Sequence, residues 1–282
     1  MKKQSNFLRN ITVGRCVSFG LLVFFAFIMM MPLFWTLGMA IKPDSEIYLD
    51  TFWPKEPDFS TFPRAIKAVP FVNYVWNTLK YVIADVTGTV ISSTLVAYGF
   101  SRFNFKGKRL WFLILLATMM LPEQVTMVPK FLLFSEISWI NTFLPMVVPR
   151  WFAVNAFAIF LIRQYMSGLP KDFDEAARID GASSFRILTH IIAPMSKPAI
   201  TAILIFTFLG TWSDFKNPLI YIYDSNKFTI SLGLSFFKGL YTSQWNLLMA
   251  ATLMSVLPIF IIFIVFQSYI IDGISVSSGT KG

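Results

Sequence analysis

The sequence predicts an all-α integral membrane protein with six transmembrane helices, and three observations lead to this prediction. The 282-residue chain is 55% hydrophobic and only 14% charged, whereas an average soluble domain carries roughly 25% charged residues. Apolar segments of about 20 to 26 residues recur along it, which is the length that spans a hydrocarbon core ~30 Å thick. The loops rich in Lys and Arg all fall on one side of the predicted membrane, so both termini are expected in the cytoplasm.

The first segments are a cytoplasmic N-terminal tail at 1–16 and a region at 17–76 that holds the first span and an extracytoplasmic loop. The tail carries basic residues and no acid. The apolar run at 17–41 is longer than the ~7–15 residues of a secretory signal and lacks its cleavage site, so it predicts a retained span. The following loop at 42–73 is rich in Pro, and its acids balance its bases, which is typical of an outside loop.

A core of five spans is predicted at 77–272, with spans at 73–100, 110–134, 142–166, 198–223 and 246–271 and a C-terminal tail at 273–282. The second span carries polar and small residues at a density that favours helix packing or a water-lined path over lipid contact. Pro122 and Pro129 are expected to break the third span. The outside loop at 224–245 predicts a short amphipathic helix, whose apolar residues are Leu232, Leu234, Phe236, Phe237 and Leu240.

The polar segment at 167–194 separates the fourth and fifth spans on the predicted cytoplasmic side. Leu169-Pro170 followed by acidic residues indicates a helix start, and Gly181 is expected to end that helix. Ser183 or Ser184 then caps a second short helix that ends at Pro194 and whose apolar face is formed by Phe185, Leu188, Ile191 and Ile192. From spacing alone, a solvated surface helix and a docking element for a partner fit this segment equally well.

The string Glu175-Ala176-Ala177-Arg178-Ile179-Asp180-Gly181-Ala182 resembles the EAA loop of ABC importer permeases. Further matches favour the carbohydrate-uptake, maltose-type branch of that family, and the likeness extends from about residue 77 to the C-terminus. The matching segments are Leu169-Pro170, Pro194, Lys197-Pro198, Phe160-Leu161-Ile162-Arg163-Gln164 and Trp212-Ser213-Asp214-Phe215 with Pro218.

The resemblance implies that the loop couples this chain to cytoplasmic ATPase subunits. Glu175 would contact an Arg of the ATPase, Ala176 and Ala177 would pack in its cleft, and Gly181 would set the turn. The implied coupling residues are Glu175, Ala176, Ala177, Asp180, Gly181 and Ala182.

The resemblance also implies the partners and the location. These are a second homologous permease, two ATPase subunits, an extracytoplasmic solute-binding protein that the 224–245 loop could contact, a sugar or oligosaccharide, and the lipid bilayer of a bacterial inner membrane. The chain has no Gly-x-x-x-x-Gly-Lys-[Ser/Thr] phosphate loop. We therefore expect no bound cofactor and no catalytic residue in this chain, with ATP and Mg held by the partners.

Ionisable groups within membrane spans are costly and are functional candidates by default. Asp85, Glu123, Arg150 and Asp214 are such groups, and we expect Glu123 or Asp85 to pair with Arg150. The pair could be structural, or it could contact substrate or the sister permease.

A sugar site usually combines aromatic faces with fixed polar groups. Trp212, Ser213, Asp214 and Asn217 offer this mixture on the fifth span, and Asn155 adds an amide from the fourth. An interfacial Trp belt with ordinary helix packing explains the same residues equally well.

Other function classes fit the sequence less well. The net charge of +9 is explained by cytoplasmic loops rather than by nucleic acid. One Cys and one His argue against a metal site and against an integral-membrane enzyme. A stand-alone transporter would not need the Glu-Ala-Ala segment. A glycerol-phosphate or polyol importer remains an alternative, although a phosphate would require several basic groups in the path and the sequence shows only Arg150.

Overall fold

The computed structural model describes residues 13–237 and 244–275, and every regular element within them is helical. The predicted all-α class is therefore confirmed for these residues. The expectations that concern residues 1–12 of the N-terminal tail, Leu240 and residues 276–282 of the C-terminal tail lie outside the described residues.

The α-helices differ widely in length, from three residues to 32. In chain order they are α1 (Val13–Ala40), α2 (Thr61–Ala68), α3 (Phe71–Arg102), α4 (Lys108–Thr118), α5 (Glu123–Glu136), α6 (Leu144–Val147), α7 (Ala156–Ser167), α8 (Asp172–Ile179), α9 (Ser184–Ile187), α10 (Ala193–Met195), α11 (Lys197–Trp212), α12 (Lys216–Tyr221), α13 (Ile230–Leu234) and α14 (Trp245–Ser275). Short 3₁₀ turns lie at Val148–Phe152, Ser225–Lys227 and Ser235–Phe237, and a π-helical turn at Leu188–Ile192 joins α9 to α10.

Within residues 13–237 and 244–275, four helical segments are long and apolar enough to cross a membrane, or up to six if each of two bent pairs is one span. The four are Val17–Ala40, Phe71–Arg102, Leu144–Ser167 and Trp245–Gln267. The bent pairs are α4 with α5, at 94°, and Ser184–Met195 with α11, at 78°.

The bend in the predicted third span lies before Pro122. Helix α4 ends at Thr118, and α5 begins directly after Pro122, whose ring fixes the backbone that enters the helix. The expectation that Pro129 also breaks this span is wrong, because Pro129 lies inside α5. Neighbouring groups can satisfy the carbonyl that an internal proline leaves free.

The predicted fourth and fifth spans are both interrupted. In the fourth, the 3₁₀ turn is followed by Ala153 with a φ of 59°, and Asn155 then caps α7 by accepting a hydrogen bond from the Ala158 amide at 3.1 Å. In the fifth, α11 ends at Trp212, and residues 213–215 separate it from α12. These irregular backbones leave peptide groups that a membrane interior alone would not satisfy.

The described chain forms two compact units, one up to Val69 with Phe236–Met254 and one from Pro70 to Ser235 with the chain from Ser255 onward. In the first unit, Lys42 is 1% exposed. Its ammonium donates to the carbonyls of Leu49 and Thr51 at 3.0 and 2.6 Å. The Arg64 guanidinium and the Asn246 amide both donate to the Asp44 carboxylate, and these hydrogen bonds lower its pKa. The loop after the first helix is therefore an ordered structure.

In the second unit, α3 packs against α7 and α11 around a core that includes Ile159, Ile162, Met166 and Ile203. The polar residues Thr78, Asp85 and Ser93 of α3 are buried. The expectation that this span packs against protein is therefore confirmed for its buried face.

The predicted amphipathic helix of the 224–245 loop is present as α13, followed by a 3₁₀ turn that buries Phe237. A Cβ added at Gly233 would lie 2.2 Å from Tyr74 Cδ2 on α3, and Tyr74 is only 3% exposed. The absence of a side chain at this glycine therefore permits the close contact between α13 and α3.

Replacing Gly233 with Ala is expected to lower the melting temperature of the detergent-purified protein by several degrees. Overpacking of a filled site costs about 1–3 kcal/mol, and the buried Tyr74 ring has little room to move. Gly99→Ala is the matched control, because its Cβ would meet nothing within 4 Å and removing a helical glycine stabilises by up to ~1 kcal/mol. Equal melting temperatures for the two variants would contradict the close contact.

Candidate functional site

Two adjoining cavities lie in the second unit, with volumes of about 430 and 390 Å³. They share the lining residues Tyr81, Glu123, Arg150, Lys216 and Asn217. The walls come from α3, α5, the 3₁₀ turn at Val148–Phe152 and the interrupted α11–α12 segment. Polar side chains from separate helices thus converge on one space.

Arg150 ties the 3₁₀ turn to α3. Its Nε lies 3.0 Å from Asp85 Oδ1, and the Asp85 side chain is only 1% exposed. Thr211 on α11 donates to the other Asp85 oxygen at 2.5 Å, and Ser92 donates to the Arg150 carbonyl at 2.8 Å. Of the two pairings left open by the sequence, the structure has the one between Arg150 and Asp85.

Glu123 instead forms an ion pair with Lys216, at the start of α5 and the start of α12 respectively. Both side chains are about half exposed, with values of 54% and 47%. Solvent therefore screens this pair, and its net contribution to stability is at most ~1 kcal/mol.

Asp214 lies in the break between α11 and α12 and accepts three hydrogen bonds. The donors are the Tyr81 hydroxyl at 2.9 Å, the Asn217 side-chain amide at 2.8 Å and the Asn217 backbone amide at 3.1 Å. These bonds fix the carboxylate at the cavity wall and link the break to α3.

The structure brings most of the proposed path residues together. Those that line the cavities are Asp85, Glu123, Arg150, Asn155, Asp214 and Asn217. Trp212 does not line them, because its ring is 3% exposed, stacks on Phe208 and donates through Nε1 to the Ser255 carbonyl at 2.9 Å. Ser213 is exposed and belongs to neither lining.

Two basic residues of the cavity were not predicted from the sequence. Lys130 and Lys216 join Arg150 in the lining of the 430 Å³ cavity, where Glu123 is the one carboxylate among the lining residues. The expectation that Arg150 is the only basic group there is therefore wrong. The rule that marks ionisable residues within apolar spans could have found both lysines.

The polar segment between α7 and α11 has the predicted helix–turn–helix order. Gly181 ends α8 with a φ of +78°, which glycine adopts without strain. The Ser183 hydroxyl accepts from the Arg186 amide at 3.3 Å and caps α9. Pro194 does not end the helical structure as predicted. It lies in the first turn of α10, where a proline is tolerated, and α10 ends one residue later at Met195.

A buried ion pair anchors α8 to the end of α3. Arg102 Nε lies 3.2 Å from Asp174 Oδ2, and the two side chains are 3% and 6% exposed. Arg102 also donates to the Leu169 carbonyl at 3.2 Å. Asp174 was not among the predicted coupling residues, although it lies three residues before Ala177 and hence on the same helix face.

Ala177, which the resemblance places in the cleft of a partner, is largely buried within this chain. Its side chain is 8% exposed and packs with Ile162, Met166 and Ile187 of the same chain. The remaining predicted coupling residues stay accessible: Glu175, Ala176, Asp180 and Gly181 are exposed, and Ala182 is half-buried.

The outer side of the segment also presents apolar side chains. Phe173, Ile179 and Phe185 are 46%, 87% and 67% exposed. A charged and apolar surface of this kind is typical of a protein contact.

The chain has apolar helices around a charge-lined cavity and an anchored polar segment at one end of α3. This combination is typical of the membrane component of a transporter. The chain belongs to the family described as binding-protein-dependent transport system inner membrane components, which it matches over residues 88–276. This membership confirms the resemblance to ABC importer permeases and the expectation that the chain is a transport component rather than an enzyme.

Relatives and solved structures agree with this assignment. The chain is 33% identical over 257 residues to AraQ, an arabinooligosaccharides transport system permease protein of Bacillus subtilis, covering 89% of this chain and 90% of AraQ. A bacterial ABC transporter involved in the import of the acidic polysaccharide alginate contains a chain with a TM-score of 0.80 and 25% identity, covering 90% of this chain and 95% of that one. A complex of bacterial alginate ABC transporter with an alginate-bound periplasmic protein gives a TM-score of 0.67 at 15% identity, covering 88% and 90% of the two chains, which shows the fold alone.

Replacing Arg150 with Met is expected to lower the melting temperature markedly, and adding Asp85→Asn should restore most of it. The single change leaves a buried carboxylate without its cation, which costs on the order of 3 kcal/mol, less the part that solvent screens at Arg150. The double variant removes both charges. Thermal unfolding of the detergent-purified protein measures the recovery.

Lys216→Met is the matched control for this experiment. It breaks the half-exposed pair with Glu123 and should change the melting temperature little. If the Arg150→Met protein melts like the Lys216→Met protein, or if Asp85→Asn lowers the melting temperature further, the Asp85–Arg150 pair does not have the predicted role.

Proposed function

We propose that this chain is the transmembrane permease subunit of an ATP-binding-cassette importer that translocates a sugar or oligosaccharide. The observation that carries the proposal is the polar segment at 172–182, which is anchored from within by Arg102–Asp174 and leaves an exposed outer face for a partner. The name of the relative AraQ supports the carbohydrate class.

In this proposal, two ATPase subunits drive transport, and one of them docks on the exposed face of α8. Glu175 and Ala176 contact it, and the apolar residues Phe173, Ile179 and Phe185 enlarge the contact. ATP and Mg belong to the ATPase subunits. A second homologous permease completes the membrane part, and an extracytoplasmic binding protein delivers the solute.

The proposed topology has six spans, both termini in the cytoplasm and a bacterial inner membrane around them. The helical segments support six spans if each bent pair is counted as one. The basic residues of the 101–109 and 163–197 segments then share the cytoplasmic side with α8, in agreement with the positive-inside rule.

The helix α3 is the proposed connection between docking and transport. Arg102 at one end holds α8, and Asp85 and Tyr81 on the same helix line the cavities. Asp85 lies 17 residues before Arg102, which corresponds to ~26 Å along a helix. A displacement of α8 by an ATPase would therefore be transmitted to the cavity wall through one continuous helix.

A second candidate is an importer of the same type for a solute that carries an acidic group, such as a uronate sugar or a glycerol phosphate. The specific observation is the group of Lys130, Arg150 and Lys216 in one cavity with Glu123. The related structure with 25% identity belongs to a transporter of an acidic polysaccharide, which also favours an acid-bearing sugar.

Reversing the charge at Glu175 is expected to weaken the docking of one ATPase on this chain. Disrupting a close charge pair at an interface costs at least ~2 kcal/mol, which is about thirtyfold in affinity. Tagged chain with Glu175→Lys, purified from the membranes of cells that encode its partners, should therefore carry clearly less co-purifying ATP hydrolysis than the original protein. Glu136→Lys makes the same charge change at an exposed residue at the end of α5 and serves as the control. Equal ATP hydrolysis in the two preparations would contradict docking at Glu175.

Neutralising Lys130 tests the acid-bearing solute. Cells with Lys130→Gln are expected to take up a labelled uronate disaccharide at least about fivefold more slowly, since a desolvated ion pair of the solute is worth ~1 kcal/mol or more. Uptake of a labelled neutral disaccharide should not change. If the variant takes up each of the two sugars as fast as the original protein does, Lys130 has no part in solute choice.

A further inference from the structure

A separate basic cavity of about 260 Å³ lies away from the proposed path. Its lining consists of Lys108 and Arg109 at the start of α4, Arg163 on α7, and the rings of Phe100 and Phe112. Cationic and aromatic groups thus face one small space.

The cations of this cavity lack anionic partners. Within residues 13–237 and 244–275, no carboxylate lies within 4 Å of the charged atoms of Lys108, Arg109 or Arg163. The Arg163 Nε is buried and makes no hydrogen bond with the described residues. Its guanidinium lies 4.0 Å from the centre of the Phe112 ring.

Like charges also share this cavity. Lys108, Arg109 and Arg163 all line it, and each carries a positive charge. Clustered cations beside apolar walls raise the local positive potential and are stable when an anion offsets them. The Lys108 ammonium donates to the Phe103 carbonyl at 2.8 Å, and an ammonium has two further protons to donate. The cavity therefore has the charge, the size and the available donors of a phosphate-binding site.

An apolar groove of about 450 Å³ lies next to this cavity, since Phe100 lines both. The groove follows one face of α4 through Trp111, Leu115 and Thr118, whose spacing corresponds to ~10 Å along the helix. Its opposite wall is formed by Ala153, Val154 and Ala156. No residue of α4 is buried, so the groove borders the surface on which a membrane helix meets lipid.

We propose that the basic cavity and the apolar groove together bind an anionic phospholipid. Lys108 and Arg163 hold the phosphate, Arg109 adds charge at the exposed edge, and one acyl chain lies along Trp111, Leu115 and Thr118. A free phosphate would use the cations but not the groove, whereas a phospholipid uses both. Basic pockets between membrane helices on the cytoplasmic side are known to bind acidic headgroups.

The first test measures lipid selectivity of the full chain in a neutral detergent. Native mass spectrometry with phosphatidylglycerol and with phosphatidylcholine of the same acyl chains is expected to show at least about tenfold tighter binding of phosphatidylglycerol. Arg163→Gln and, separately, Lys108→Gln should remove most of this preference, and Arg163→Lys should keep part of it. Lys106→Gln removes an exposed cation of the same loop that does not line the cavity, and it should bind like the original protein.

The second test separates a lipid site from an anion site. Inorganic phosphate and glycerol phosphate at millimolar concentration should not displace phosphatidylglycerol, and Leu115→Trp, which fills the groove, should weaken its binding. Brominated phosphatidylglycerol should quench Trp fluorescence more than brominated phosphatidylcholine does, and Trp111→Phe should abolish the difference.

Two outcomes would overturn the proposal. Displacement by free phosphate, with no effect of Leu115→Trp, would show an anion site only. Equal binding of the two lipids by the original protein, or unchanged selectivity in both the Arg163→Gln and Lys108→Gln proteins, would show that the cavity does not select a headgroup.

Discussion

The buried ion pair between Arg102 and Asp174 is the interaction on which the polar segment depends. Helix α8 has eight residues, and an isolated helix of this length is unstable in water. The pair and the inward-facing Ala177 fix it against α3 and α7. Because both charges are almost fully buried, loss of either would leave the other unpaired at a cost of several kcal/mol. The exposed side of α8 therefore has a defined orientation before any partner binds.

Helix α3 connects three parts of the second unit. Near its start, Asn77 donates to the carbonyls of Asn226 and Phe228 at 2.7 and 3.2 Å, and so holds the segment before α13. In its middle, Asp85 pairs with Arg150, and at its end Arg102 pairs with Asp174. Its small polar residues, which distinguish it from an ordinary lipid-facing span, allow these close contacts.

Local signals in the sequence predicted much of this structure. Gly181 was identified as a helix end, and Ser183 was one of two candidate caps, because these roles depend on backbone conformation and on one nearby hydrogen bond. The direction of a side chain depends instead on packing between distant segments. For this reason the burial of Trp212 and Ala177, and the convergence of Lys130 and Lys216 on one cavity, were not predicted. The break at 213–215 contains no proline to signal it, unlike the bend before Pro122.

The length of α3 has a consequence for how members of such a family can diversify. Tyr81 and Asp85, which line the cavities, and Arg102, which anchors α8, lie on this one helix but several turns apart. Substitutions at distant, independent sites have additive effects. Lys130, Asn155 and Asn217 line the cavities from other segments of the chain. They can thus change during evolution while the Arg102–Asp174 anchor of α8 stays unaltered.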